Sequence, residues 1–323
     1  MKKIGVFTSG GDAPGMNACI RAVVRSALHR GLEVAGIYRG YQGLIEGDIK
    51  RLDSHSVSSI ISQGGTILRS ARSKDFMTVE GRKLAYKNLQ KEGIDGIVAI
   101  GGDGTFTGAN IFMQEFPDIK IVGCPGTIDN DLAGTDHTIG FDTAINTAME
   151  AIDKIKDTAN AHDRLFFIEV MGRDAGYIAM AAGIATGAEA VLIPEHKTNL
   201  DDLVKVLQNA HNRKKNSSIV VVAEGEEAGG AYEIADYVKS RLDIFEIKVS
   251  ILGHIQRGGS PTCLERVRAS RMGVAATEAL LEGKSGVMIG IINNDIAYTA
   301  FEKAIKKAGD IPLKYMDLIK DLN

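Results

Sequence analysis

Residues 121–131 read Ile-Val-Gly-Cys-Pro-Gly-Thr-Ile-Asp-Asn-Asp, an apolar run that breaks at Pro125 into a loop carrying two carboxylates, Asp129 and Asp131. Ile121 and Val122 are β-branched, so the run from Ile121 to Cys124 reads as a buried strand. The loop then lies where a parallel strand delivers its carboxyl end, the ligand side of an open α/β sheet. In irregular backbone, side chains at i and i+2 diverge enough for separate tasks: one carboxylate can take a proton while the other helps hold a cation. That division suits phosphoryl transfer to a hydroxyl. The plain alternative is an Asx-rich turn in which Asp129, Asn130 and Asp131 only satisfy backbone amides.

Two further junctions favour the site. Gly96 to Ile100 is a second buried-strand pattern, opening into Gly101-Gly102-Asp103-Gly104-Thr105 and then a helix. Glycines let backbone amides approach phosphate oxygens, a helix start adds positive potential, and Asp103 can anchor magnesium bridging those oxygens. Ile4 to Phe7 leads in the same way into Thr8-Ser9-Gly10-Gly11-Asp12-Ala13-Pro14-Gly15. One such loop is common in any α/β protein; three in one chain point to phosphate chemistry.

Strand patterns recur at 33–38, 166–170, 190–193, 219–223 and 249–252, separated by stretches of helical spacing such as 16–30, 145–155 and 269–282, which predicts a mainly parallel α/β architecture. The 323 residues suffice for one large unit or two lobes. A net charge of −3 gives no electrostatic reason to expect nucleic acid. No apolar run approaches the roughly 18 residues of a membrane span, and Met1-Lys2-Lys3 leads directly into a strand, so a cytoplasmic protein is expected. Cys19, Cys124 and Cys263 lack metal-ligand spacing and read as reduced thiols. Gly283-Lys284-Ser285 ends like a P-loop, but Glu278 stands where its first glycine belongs.

The blocks Thr8 to Met16, Gly101 to Thr105, Pro125 to Asp131, Met171-Gly172-Arg173 and Leu252 to Ser260 resemble, in order and spacing, the signatures of bacterial ATP-dependent 6-phosphofructokinases. The resemblance implies two lobes, each a mainly parallel sheet sandwiched by helices, with the active site in the cleft. The ATP-binding lobe would take 1–140 and about 257–306, the sugar-phosphate lobe 141–256 and about 307–323. It implies Asp129 as the base for the acceptor hydroxyl, with Thr127 in support, and Arg72 and Arg173 as stabilisers of the migrating phosphoryl group. ATP would meet Gly11, Arg72, Ser73, Gly102, Asp103, Gly104 and Thr105, and Mg2+ would meet Asp103 and Asp131. Fructose 6-phosphate would meet Thr127, Ile128, Asp129, Met171, Gly172, Arg173, Glu224, His254, Ile255, Gln256 and Arg257. Arg164 and Lys248 would reach the sugar phosphate of a neighbouring subunit, which requires an oligomer, by resemblance a homotetramer. An ADP or phosphoenolpyruvate effector would meet Arg21, Arg25, Lys156, Gly187, Glu189, Arg213 and Lys215.

The residue-level alternatives are a solvated basic face for Arg21 and Arg25, a surface arginine at Arg72, and an ordinary exposed glutamate after a strand at Glu224. Within the resembled family, donor choice tracks the positions of Gly104 and Gly126: pyrophosphate users carry aspartate and lysine there, so two glycines imply ATP. Lys248 stands where the family usually has arginine, and lysine cannot make the same bidentate contact. Ser54 and Lys156 stand where effector-site arginines are common. Two rival readings are a pyrophosphate-dependent enzyme on the same scaffold and a non-catalytic nucleotide-binding regulatory subunit; retention of Asp129, Asp103 and Arg173 argues against the second.

Overall fold

The computed structural model of the chain describes residues 1–160, 164–213, 218–305 and 311–322. The chain divides into two compact units, Met1–Thr143 with Arg257–Ala308 and Ala144–Gln256 with Gly309–Asn323. The first unit begins β1 (Lys3–Thr8), α1 (Met16–His29), β2 (Glu33–Ile37), α2 (Gly40–Glu46), β3 (Ile49–Leu52), α3 (Val79–Glu92) and β4 (Gly96–Gly101). It continues with α4 (Asp103–Glu115), β5 (Lys120–Thr127) and the two-residue β6 (Ile139–Gly140). Helix α5 (Phe141–Asn160) carries the chain into the second unit, which contains β7 (Arg164–Val170), α6 (Tyr177–Thr186), β8 (Ala190–Leu192), α7 (Leu200–Asn212), β9 (Ser218–Ala223), α8 (Ala231–Arg241) and β10 (Glu246–Ile251). The first unit is completed by α9 (Cys263–Leu281), β11 (Val287–Ile292), β12 (Asp295–Ala300) and α10 (Phe301–Ala304), and α11 (Leu313–Leu322) returns to the second.

The first unit's sheet has the order β12-β11-β5-β4-β1-β2-β3, with β6 added beside β5. Its centre is parallel, and its two edges close with the antiparallel pairs β2–β3 and β11–β12. Every residue of β4 is buried, as expected of a strand covered on both faces. Phe7, Tyr41, Phe106, Phe112 and Phe301 fill one core layer. The chain leaves β1 toward β2 and later returns to place β4 on β1's other side, which makes the β1/β4 ends the switch point where ligands of such sheets bind. The second unit's sheet is wholly parallel, order β10-β7-β9-β8; Leu165, Phe167, Val220 and Val222 pack there against Leu207 of α7 and Ile234 and Val238 of α8.

The architecture is the expected mainly parallel α/β fold, with local differences. The strand after Ile121 does not stop at Pro125 but runs to Thr127. Pro125 lies opposite Gly101, the last residue of β4, so its missing N–H falls where that ladder ends, and Gly126 and Thr127 take β6 as their new partner. Four strands, β3, β6, β11 and β12, lie outside the predicted set. β3 and β12 are edge strands that are largely exposed or half-buried and β6 is too short for a period, whereas β11 is a clear apolar run. Among the described residues no helix is long and apolar enough to cross a membrane.

Candidate active site

At the switch point the first two glycine loops touch. The Ser9 amide donates to the Ile100 carbonyl at 3.0 Å. A side chain on Gly101 would begin 2.6 Å from the Ser9 carbonyl oxygen and would also strike Thr105, so only glycine permits this approach. Gly102 caps α4, and Asp103 and Gly104 occupy its exposed first turn, where amides and helix dipole favour an anion. A Cβ on Gly11 would run into the Arg257 guanidinium, so that cation lies directly over the first loop. Buried Asn17 fixes the 63–67 segment, donating to the Gln63 and Gly64 carbonyls at 3.1 Å each and accepting from the Ile67 amide at 2.8 Å. The chain then continues to exposed Arg72. Ser73 is committed locally: it donates to Gln42 at 2.7 Å and accepts the Phe76 amide at 3.2 Å.

The 127–131 loop sits beside this pair. The Cβ position of Gly102 is 3.8 Å from Thr127 Cβ. The Asp129 amide donates to Thr127 Oγ1 at 3.1 Å. Asp129 and Ile128 are buried, and Asp131 is half-buried. Between the two carboxylates, Asn130 takes a left-handed conformation, φ 55°, accepts from the Thr138 amide at 2.8 Å and donates to the Asp136 carbonyl at 3.2 Å. Thr138 in turn donates to the Thr127 carbonyl at 2.6 Å. Asn130 thus ties the loop to the segment ahead of β6. Sequence reading assigned no role to Asn17 and only the Asx-turn alternative to Asn130.

Gly104 and Gly126, read together as donor determinants, differ in their surroundings. Nothing lies within 4 Å of where a Gly104 Cβ would stand, so no neighbour in the protein dictates its size. A Gly126 side chain would begin 2.8 Å from the mobile end of Met16, 3.1 Å from Ile100 Cγ2 and 3.2 Å from the Gly101 amide nitrogen, so the space there is tight for any side chain.

In the second unit, β7, β9 and β10 are adjacent; Met171 to Arg173, Glu224 and His254 to Gln256 follow their carboxyl ends, whereas Arg164 opens β7 and Lys248 lies in the amino-terminal half of β10. Met171 is buried, and its amide donates to Oε1 of fully buried Gln256 at 2.9 Å, so Gln256 braces the loop. Arg173 has φ 52°, and its amide faces Glu224 Oε2 at 3.3 Å. His254 and Ile255 are exposed on the 3-10 turn Gly253–Arg257. Arg164 and Lys248 both pair with Glu246 at 2.8 Å, and these two cations, Arg164 foremost, hold its carboxyl down to about 2. Of the effector candidates, half-buried Arg21 and exposed Arg25 lie on α1 of the first unit; in the second, Lys156 donates to the Thr186 carbonyl at 2.7 Å and caps α6 beside Gly187. Glu189 is buried, Arg213 ends α7, and Lys215 lies outside the described residues.

Glycine loops packed at the carboxyl ends of parallel strands, beside a loop with a buried aspartate, define an α/β protein built to handle phosphate groups. A family model described as Phosphofructokinase matches residues 3–280, and the chain belongs to that family. An ATP-dependent 6-phosphofructokinase 2 of Bacteroides thetaiotaomicron is 56% identical over 323 residues, covering 100% of this chain and 99% of the relative. An ATP-dependent 6-phosphofructokinase 1 of Thermus thermophilus is 56% identical over 311 residues, 96% of each. The solved phosphofructokinase from Saccharomyces cerevisiae matches 94% of this chain with TM-score 0.91 and 38% identity, and the chain spans 45% of that longer chain. A pyrophosphate-dependent phosphofructokinase from Marinobacter aquaeolei, at TM-score 0.85 and 24% identity over 100% of this chain and 91% of its own, shares the fold.

Proposed function

We propose that the chain is an ATP-dependent 6-phosphofructokinase, transferring the γ-phosphoryl group of ATP to the 1-hydroxyl of fructose 6-phosphate to give fructose 1,6-bisphosphate and ADP. The observation that carries this is the packing of the Gly101–Thr105 loop against Thr127, which sets a phosphate cradle next to Asp129. As the sugar oxygen forms its bond to phosphorus and the β,γ-bridging bond breaks, Asp129 takes the hydroxyl proton. Thr127 holds the Asp129 backbone, and Gly11, Arg72 and Arg173 are assigned to the charge that spreads over the phosphoryl oxygens. Met171, Gly172, Arg173, Glu224, His254, Ile255, Gln256 and Arg257 are assigned to the sugar phosphate, whose remote charge supplies binding energy to position the hydroxyl.

Magnesium fits as an ion held mainly by phosphate oxygens. Among the described residues no group of three carboxylate, imidazole or thiol side chains forms a protein cage, and Mg2+ ordinarily takes one or two carboxylates plus substrate phosphates. Asp103 and Asp131 would be those carboxylates, and the ion would neutralise charge on the phosphates. Arg164 and Lys248 are assigned to the sugar phosphate of a neighbouring copy in a homotetramer; binding there must displace their pairing with Glu246. An ADP or phosphoenolpyruvate effector is assigned to Arg21, Arg25, Lys156, Gly187, Glu189, Arg213 and Lys215.

The test is fructose 1,6-bisphosphate formation by purified protein with magnesium, supplying ATP or pyrophosphate in parallel. Turnover with ATP alone, lost by at least about 100-fold in Asp129→Ser with both substrates still bound, is expected. Turnover with pyrophosphate alone would overturn the donor, and none with either would favour the regulatory reading.

A further inference from the structure

Between β3 and the 3-10 turn Asp75–Met77 the chain forms no helix or strand, so the backbone groups of this long segment gain no ladder partners and must find side chains instead. Arg72, assigned above to the migrating phosphoryl group, lies near its end and is exposed. An irregular segment places an arginine only as firmly as its anchors hold it. Asn17, in the first turn of α1 and 1% exposed, gives both of its amide hydrogens and its carbonyl oxygen to this segment.

The Gln63 and Gly64 carbonyls face the Asn17 nitrogen and the Ile67 amide faces its oxygen, which fixes the direction of the side chain; an aspartate would set an acceptor against two carbonyls. From Ile67 the path is pinned at each step. The Arg39 amide donates to the Leu68 carbonyl at 2.8 Å. Thr8 Oγ1 donates to the Arg69 carbonyl at 2.8 Å and lies 2.8 Å from Thr66 Oγ1. Half-buried Ser70 donates to the Gly10 carbonyl at 2.6 Å, which ties the segment to the first glycine loop two residues before Arg72. Ser73, bonded to Gln42, holds the other side of the arginine. On the opposite flank Ser260 Oγ donates to the Ser62 carbonyl at 2.9 Å, and a Gly64 side chain would begin 2.3 Å from the Gly259 carbonyl oxygen. Gly64 is therefore clasped between Gly259 and Asn17.

We propose that Asn17 and Ser70 are positioning residues for phosphoryl transfer, setting the path of residues 63–70 from its two ends and, through that path, the place of Arg72. The proposal rests on the functional reading above for the role of Arg72. Truncating Asn17 leaves two carbonyls and an amide without partners at the start of the path, and the segment relaxes to find new ones. A guanidinium that acts on charge appearing in the transition state loses its effect when displaced by about 1 Å, so kcat falls while affinity for the sugar phosphate stays. Because both anchors act through one arginine, their effects vanish once that arginine is gone.

The experiment is a double-mutant cycle on the full chain: wild type, Asn17→Ala, Arg72→Ala and the double variant, assayed with ATP, magnesium and fructose 6-phosphate. Asn17→Ala should lower kcat by about 30-fold with the KM for fructose 6-phosphate within about three-fold. Arg72→Ala should lower kcat by about 100-fold, and the double variant should stay within about three-fold of Arg72→Ala. A double variant that falls further, or an Asn17→Ala kcat within about three-fold of wild type, would overturn the proposal, since a purely structural loss acts equally in both backgrounds. Ser70→Ala, at a half-buried hydroxyl outside the core, runs the same cycle should Asn17→Ala fold poorly: a kcat about five-fold lower with Arg72 present and unchanged without it is expected, and equal factors in the two backgrounds would refute it. Peptide-resolved amide exchange reads the anchor without turnover. Asn17→Ala should lose about ten-fold protection over 63–70 while β1 and β4 keep theirs, and unchanged protection over 63–70 would remove the anchor. If the wild type turned over no sugar phosphate yet this exchange loss appeared, the functional reading would fall and the anchoring of 63–70 would stand.

Discussion

Gly104 offers the sharpest separation of stability from function. It sits in the first turn of α4, with nothing within 4 Å of its Cβ position and no left-handed φ to protect. Gly104→Asp should therefore not damage the fold. Replacing glycine in a helix gains a few tenths of a kcal/mol, and a carboxylate near a helix N-terminus adds about 0.3–1 kcal/mol. Together these raise stability by about 1 kcal/mol, or Tm by about 2–4 °C. For a nucleotide the sign reverses. A carboxylate about 4 Å from a phosphate oxygen, at an effective dielectric of about 20, costs about 4 kcal/mol before salt and magnesium screening. Discounted to about 2–4 kcal/mol, this predicts a fall of about 30- to 1000-fold in kcat/KM for ATP. Gly104→Ala, with a larger gain in helix propensity of about 1 kcal/mol and no charge, should keep ATP kcat/KM within about three-fold. The assays are a thermal melt and initial rates against ATP at saturating fructose 6-phosphate. An aspartate variant that is stable and still uses ATP normally would refute the placement of donor phosphates over the α4 start, and a lower Tm would refute the open space.

Glu265 and Arg173 each give a further testable outcome. Because burial lifts the Glu265 carboxyl from its ordinary 4.5 to about 7, the folded chain binds a proton that the unfolded chain releases across that window; stability should fall as pH rises through it, by up to about 3 kcal/mol, and urea midpoints should show Glu265→Gln with a flatter profile. Arg173 holds a left-handed φ of 52°, a strain of about 1 kcal/mol, and glycine there relieves it while adding a similar backbone entropy cost. Arg173→Gly should thus shift stability by less than about 1 kcal/mol while kcat falls by at least about 100-fold, measured by urea denaturation and the ATP assay.

The candidate site residues were legible because their chemistry is local. Buried strands such as β1, β4 and β9 are continuous apolar runs, and the loops after them announce themselves by glycines and carboxylates within a few positions. What escaped was set by pairing at a distance. β6 exists only because Gly126 and Thr127 need a partner once β4 ends at Gly101. β11 and β12 had a local signal that was passed over: Asn293 and Asn294, both at positive φ, form the tight turn between antiparallel strands. Glu265 shows the deeper reason. Its three-residue spacing from Thr262 is readable as a helix start, but a capping box predicts a carboxylate spent on its own helix, and here it accepts from Thr143 of α5, more than a hundred residues earlier in the chain. Ionised, that carboxylate costs global stability because it is buried. A buried carboxylate held by a distant element departs from the agreement between local pattern and global fold on which sequence reading depends. Such residues are found from the destination of their hydrogen bonds, once the topology has brought the partners together.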